Sequence, residues 1–393
     1  MCYNGAGKVA HALKLGTAVR AAARRRLHTA ILAAILLLAL AGLGSWTYYQ
    51  SLNSGMRRDD GYYFPMAADE EPVETYLPAA DLWDIDEARL AQSLRAWAEH
   101  PDEEIIEDRN ILNILLCGVD TRTGDARGGR ADAVMLVSVN RRKRAVTLTS
   151  FLRDSYSYID LSRDPGNPRA EAGRLADAYA LGGPATLAET LSAAYKIPID
   201  DYMCVDFSSF PKLIDALDGV TLDVTQEEAD WINRTVSAMK GKFPWGEAVA
   251  LTGQQALAYS RVSRGPDETR AERQQRLILA ILERARQSSP GQILKAVTRV
   301  LRYVRTSLTE DEADALVKEA FVQGWLSYSA ARLRSPVLPG EEGGTSGLSA
   351  NLNGRRVWIV DYPREARRLQ EAIYGYTNIE GGKGTDYVAG LFK

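Results

Sequence analysis

Between residues 113 and 151 the chain carries three short apolar runs: NILLCGVD (113–120), AVMLVSVN (133–140) and AVTLTSF (145–151). They are rich in Val, Ile, Leu and Thr and too short for core helices, which is the pattern of buried strands. Further strands are predicted at DYMCVDF (201–207), VTLDV (220–224) and RVWIVDY (356–362). Helical patterns alternate with them: DLWDIDEARLAQSLRAWAEH (81–100), a stretch at about 174–195, SSFPKLIDAL (208–217), and TGQQALAYSRVS (252–263) with Thr252 as its cap. A long helix opens near Arg270, two or three more run to about 333, and a last one runs through 374. Strands alternating with helices call for an α/β fold, a central mixed sheet flanked by helices as an α/β/α sandwich. The segment GEEGGTSGLSA (340–350) is predicted to be a loop.

The amino-terminal part has a different chemistry. TAILAAILLLALAGLGSWTYY (29–49) holds no charge and matches the roughly 20 residues a helix needs to cross a bilayer. Lys8, Lys14, Arg20, Arg24, Arg25 and Arg26 precede it without any acid, and Trp46, Tyr48 and Tyr49 sit at its far end. This pattern predicts one transmembrane helix, with residues 1–28 as a basic cytoplasmic tail and everything beyond the helix outside the cell membrane. Although the whole chain is at −3, the part after the basic tail is strongly acidic, a poor partner for nucleic acid. Residues 50–107 read as an extracytoplasmic spacer or accessory segment.

Cys2, Cys117 and Cys204 are the only cysteines. They give no disulfide framework, and two buried thiols are expected at 117 and 204. His11, His28 and His100 are the only histidines, so a Ser-His-Asp or Cys-His nucleophile and a histidine-bound zinc are excluded from residue 101 onward. Chemistry there is left to carboxylates, arginines, lysines, tyrosines or a hard metal.

Asp120 ends the first strand run and Asp132 precedes the second, across a glycine-rich linker holding Arg122, Arg127 and Arg130. Two carboxylates so placed can share one cation that takes oxygen ligands, Mg2+ or alternatively Mn2+. Ordinary turn acids would look the same. Arg153 and Asp154 close the third run, at the strand end where α/β sheets hold ligands. Further along, Arg261, Arg264, Arg270 and Arg273 lie close together in sequence. Arg270 shares the stripe of Gln274, Leu277, Ile278, Ile281 and Ala285 that the helix should bury. A capping box of Thr269 and Glu272 would make Arg270 the first helical residue, a costly place for a cation unless an anion lies over it. Carboxylates and arginines without histidine point to a phosphate or pyrophosphate.

NILLCGVDTR, GGRADAVMLVSVN, VTLTSFLRDSY, ALAYSRVSRGPDETRAERQQRLI and VDYPREARRLQEAIYG together resemble the LytR-CpsA-Psr family, over roughly 108–376. That span is the expected catalytic domain, with 377–393 as a tail. The resemblance implies an extracytoplasmic phosphotransferase. It would move an anionic glycopolymer, of teichoic acid or capsule type, from a polyprenyl-pyrophosphate carrier to peptidoglycan. It places the metal on Asp120 and Asp132, the pyrophosphate on Arg130, Arg153, Arg261 and Arg270 with Gln274 beside them, and an acid at Asp267. Arg122, Arg264 and Arg273 join the predicted pyrophosphate site. Asp120, Asp132, Arg153, Asp267 and Arg270 are the predicted catalytic residues. Two departures stand out: Arg261 and Arg264 are separated by two residues where relatives have one, and Leu152 replaces a common proline. The same residues would serve a lipid pyrophosphatase, with water as acceptor, or a glycolipid-binding regulatory protein.

Overall fold

The computed structural model describes residues 85–100, 105–120, 130–161, 170–206, 210–236, 239, 241–260, 267–287, 304–308, 312, 315–316, 319, 323–339, 341, 344–352, 355–380 and 386–392. Among these residues no helix is long and apolar enough to cross a membrane, and the anchor expected at 29–49 lies outside them.

After α1 (Glu87–Ala98) come β1 (Ile111–Asp120), β2 (Arg130–Asn140), β3 (Ala145–Phe151) and the hairpin β4 (Tyr156–Asp160) and β5 (Ala170–Arg174). Next are α2 (Leu175–Tyr195), β6 (Asp201–Asp206), α3 (Phe210–Ala216), β7 (Val220–Val224), α4 (Gln226–Thr235), β8 (Gly246–Leu251), α5 (Gly253–Ser260) and α6 (Asp267–Gln287). The remainder is β9 (Val304–Thr306), β10 (Ser329–Ser335), β11 (Gly347–Leu352), β12 (Arg355–Val360), α7 (Tyr362–Tyr374) and α8 (Asp386–Leu391). Among the described residues, six strands form the central sheet in the order β10-β3-β2-β1-β6-β9. β1 runs parallel to β6 and β10 to β3, while β2 is antiparallel to both its neighbours, so the sheet is mixed as expected.

Period-2 alternation gives the sheet two apolar faces. Ile114, Leu116, Met135, Val137, Leu148 and Met203 pack against Phe210 of α3, Leu257 of α5 and Leu277, Ile278 and Ile281 of α6. Leu115, Val134, Leu136 and Phe151 face the other way, against Leu90, Leu94 and Trp97 of α1, Tyr179 and Leu191 of α2, and Leu369 and Ile373 of α7. Side chains as deeply buried as these each contribute about 1.5–3 kcal/mol. α3 and α5 cross so closely that a Cβ at Gly253 would stand 2.1 Å from the Pro211 carbonyl oxygen. Thr252 caps α5 in a reciprocal box with Gln255, as the sequence predicts.

The structure departs from the sequence reading in several places. β10 occupies a stretch read as helical; as an edge strand with residues 329–332 exposed, it has no apolar run to announce it. β11 takes the end of the predicted 340–350 loop. α2 breaks at Gly183 (φ 80°, ψ −166°), just ahead of Pro184, whose ring disfavours helical backbone at the preceding residue. Leu90, Leu94 and Trp97 of α1, ahead of the expected span 108–376, and Val388 of α8, beyond it, pack into the same core. α1 and α8 are joined by the hydrogen bond from Asp86 N–H to the Tyr387 hydroxyl.

Candidate active site

The carboxyl ends of β1, β3, β6 and β10 meet at one edge of the sheet, and antiparallel β2 brings its amino end to the same edge. The register pairs Asp120 with Arg130. One step inward Gly118 pairs with Ala133 and Val119 with Ala131, so Asp132 is the extra residue of a β-bulge. A bulge re-aims the side chain it carries, and Asp132 meets Arg153 just past the end of β3. Arg153 Nη1 donates to the Asp132 carboxylate at 2.7 Å. The Asp132 side chain is 10% exposed and that of Arg153 32%.

Arg153 begins a run of alternating charge that the sequence reading missed beyond Asp154. Its Nε lies 3.5 Å from Asp154, whose other oxygen accepts from Arg174 Nη1 at 3.3 Å. Arg174 donates in addition to both oxygens of Asp177, at 3.1 and 3.2 Å. Burial works against the Arg174 charge, yet the bonds to Asp177 and the nearness of Asp154 more than offset it and hold its pKa above the ordinary arginine value. The three-residue spacing of Arg174 and Asp177 at a helix start was the available signal.

α6 delivers the second group of arginines. Gln275 donates to Ser150 Oγ of β3 at 3.0 Å and to the Leu333 carbonyl of β10 at 2.6 Å. These bonds fix the amino-terminal turns of α6 over the carboxyl ends of β3 and β10. Gln274, Leu277, Ile278, Ile281 and Ala285 are buried as predicted, and Arg270 is half-buried. The helix opens at Asp267, three residues earlier than the capping-box reading. Thr269 therefore lies inside the helix rather than at its cap. Arg273 takes a position of its own. It is 6% exposed, with Nη1 at 3.7 Å from Glu228, which also accepts from Arg276 at 3.0 Å. Burial lowers the Arg273 pKa and Glu228 opposes that shift. Glu228 completes the α4 capping box with Thr225, so its charge ties α4 to α6.

Thus the structure brings Asp132 and Arg153 into contact and sets Arg270, Arg273 and Gln274 on the helix over the same edge. The side chains of Asp120, Arg130 and Asp267 and the positions Arg122, Arg261 and Arg264 lie outside the described residues. Among the described residues no cluster of three or more metal-ligating side chains occurs.

A family model described as the LytR_cpsA_psr family matches residues 86–366. A curated relative from Halalkalibacterium halodurans, named polyisoprenyl-teichoic acid–peptidoglycan teichoic acid transferase TagU, is 31% identical over 206 residues. That match covers 50% of this chain and 62% of the relative, so the chain spans about three-fifths of its length. A protein of the same name from Oceanobacillus iheyensis is 28% identical, over 70% of this chain and 78% of the relative. Among solved structures, a Streptococcus agalactiae protein superposes with a TM-score of 0.55 at 23% identity, over 68% of this chain and 87% of its own. The structure described as "TagT bound to LI-WTA" does so with 0.52 at 21% identity, over 70% and 94%. These superpositions establish the shared fold.

Proposed function

Because the chain belongs to the LytR_cpsA_psr family, we propose that it is an extracytoplasmic phosphotransferase. It would attach an anionic glycopolymer, carried on a polyprenyl pyrophosphate, to peptidoglycan. Held by a helix at 29–49 with its amino terminus in the cytoplasm, the domain would meet both lipid carrier and cell wall. The observation that carries this reading is the Arg153–Asp132 contact at the bulged carboxyl edge, roofed by the arginine-bearing start of α6. The transferase names of the relatives support it.

Mg2+, with Mn2+ as the alternative, fits the donor set: Asp132 is a hard oxygen donor aimed by a bulge, and Asp120 ends the neighbouring strand at that edge. When bound, such an ion supplies charge neutralisation to the pyrophosphate oxygens. The chain's own residues do the rest. Arg153 and Arg270 hold the pyrophosphate with guanidinium forks, joined by Arg130 and Arg261. The acceptor hydroxyl attacks the sugar-linked phosphorus, the bond to the lipid phosphate breaks, and polyprenyl phosphate leaves. Asp267 or one of the metal acids, Asp120 or Asp132, would take the hydroxyl proton. Charge stabilisation carries most of the rate, with no covalent enzyme intermediate.

The test gives the full chain a polyprenyl-pyrophosphate saccharide and Mg2+, with and without peptidoglycan oligomers. Glycan on the acceptor, lost in Arg270→Ala, is expected. Release of lipid phosphate at the same rate without acceptor would replace transfer by hydrolysis, and binding without turnover would sink the enzyme reading.

A further inference from the structure

One more arginine stands at the carboxyl edge, on a strand that the sequence does not announce. Arg334 is the penultimate residue of β10 and pairs in register with Ser150 of β3. Ser150 holds Gln275 of α6, so Arg334 lies on the sheet face that α6 covers. Its side chain is 13% exposed, and two carboxylates converge on it. Glu272 of α6 lies 4.0 Å from Nη1. Glu341 closes on Nη2 from the loop after β10, while its second oxygen accepts from Leu338 N–H at 3.0 Å. That loop lies beside the site, with Leu338 packed against Leu152, the neighbour of Arg153.

The asymmetry of exposure is informative. The Arg334 side chain is largely buried, whereas the Glu272 and Glu341 side chains are 62% and 35% exposed. Solvated carboxylates gain little from such a pair and exchange readily for another anion. A phosphodiester presents the same acceptors as the two carboxylates and bonds a guanidinium with both oxygens. The geometry points to a second anion subsite at Arg334, gated by Glu341, which takes a phosphodiester of the polymer repeat while the pyrophosphate occupies the Arg153–Arg270 region. The subsite rests on the transferase reading for the origin of that polymer. It gives the edge a means of distinguishing a charged polymer from a neutral glycan.

The deciding measurement is a titration of the full chain in detergent with a lipid-free glycerol-phosphate oligomer and, separately, a neutral glucose oligomer. Arg334→Gln is expected to weaken binding of the charged oligomer about tenfold, and Glu341→Gln to tighten it several-fold. Binding of the neutral oligomer should not respond to either change. Glu283→Gln, an exposed carboxylate in the last turns of α6, controls for net charge and should bind as wild type. Wild-type binding in both subsite variants would overturn the proposal, as would weakening by Glu341→Gln or equal tightening by Glu283→Gln. Because glutamine at 341 changes a partly exposed loop residue, that variant tests the subsite even if Arg334→Gln fails to fold. Loss of this binding pattern with transfer intact rejects the subsite alone; absence of transfer on any carrier rejects the function proposed above.

Discussion

Two charged networks in this domain use the same residue types and differ in closure. Glu365 of α7 is 0% exposed and fully engaged. One oxygen accepts from Ser346 Oγ and Arg368 Nε, the other from Ser335 Oγ and Arg368 Nη2. Arg368 also donates to the Arg334 carbonyl. This network pins the end of β10 and the strand start at Gly347 to α7, and no lone pair is left for a ligand. At the sheet edge, Arg153 shares itself between Asp132 and Asp154 with 32% of its side chain open to solvent. A closed network specifies the fold; an open one at a strand end can trade a protein partner for a substrate oxygen.

The contrast can be broken by substitution. Glu365→Ala removes the buried carboxylate to which Arg368, Ser335 and Ser346 all donate and is expected to cost about 3 kcal/mol. Denaturant unfolding measures it, and wild-type stability would remove the distinction drawn here. Arg153→Ala should reverse the balance. It should leave the domain folded, with a smaller loss of stability than Glu365→Ala because Arg153 is partly open to solvent, and lower lipid-pyrophosphate turnover by roughly a hundredfold or more; turnover near wild type would take Arg153 out of the mechanism.

A smaller effect concerns pH. Burial raises the pKa of Asp361, the cap of α7, against the opposing hydrogen bond from Arg364 N–H. A carboxyl raised on folding adds stability at pH below its unfolded pKa and loses it as pH rises through the folded value. Asp361→Asn keeps a capping oxygen. It should therefore be more stable than wild type at about pH 7, with the gap closing toward roughly pH 4. Melting curves at several pH values decide this, and an unchanged gap would put the shift elsewhere.

The smallest effect is chemical access to the closed interior. Cys117 and Cys204 are in register on adjacent parallel strands and buried, with the Cys117 thiol pushed up by burial. Alkylation should leave both unmodified in the folded protein and label both after denaturation, whereas mass spectrometry showing a 117–204 disulfide would contradict two free thiols.

The central strands were legible because their burial on both faces leaves unbroken runs of Val, Ile and Leu, and α6 because its stripe repeats every 3.6 residues. The acidic and arginine positions at strand ends were legible for the related reason that side chains there cannot serve the core. Hidden from the sequence were the elements whose partners are remote. β10 reads as a polar segment because an edge strand buries little, and its place beside β3 is set by pairing across nearly two hundred residues. α1 is legible as a helix, within a segment read as spacer or accessory, but its place in the core appears only once the fold is assembled.

The amino-acid order by itself therefore determined the layer type and the side-chain chemistry available without histidine. Only the tertiary structure decided which charges meet. The Asp132 bulge exists only in the pairing of two strands, Glu228 reaches Arg273 and Arg276 only once α4 packs on α6, and Arg334 comes to this edge only through the parallel docking of β10. Electrostatic interaction depends on distance and burial, and neither is a property of sequence spacing.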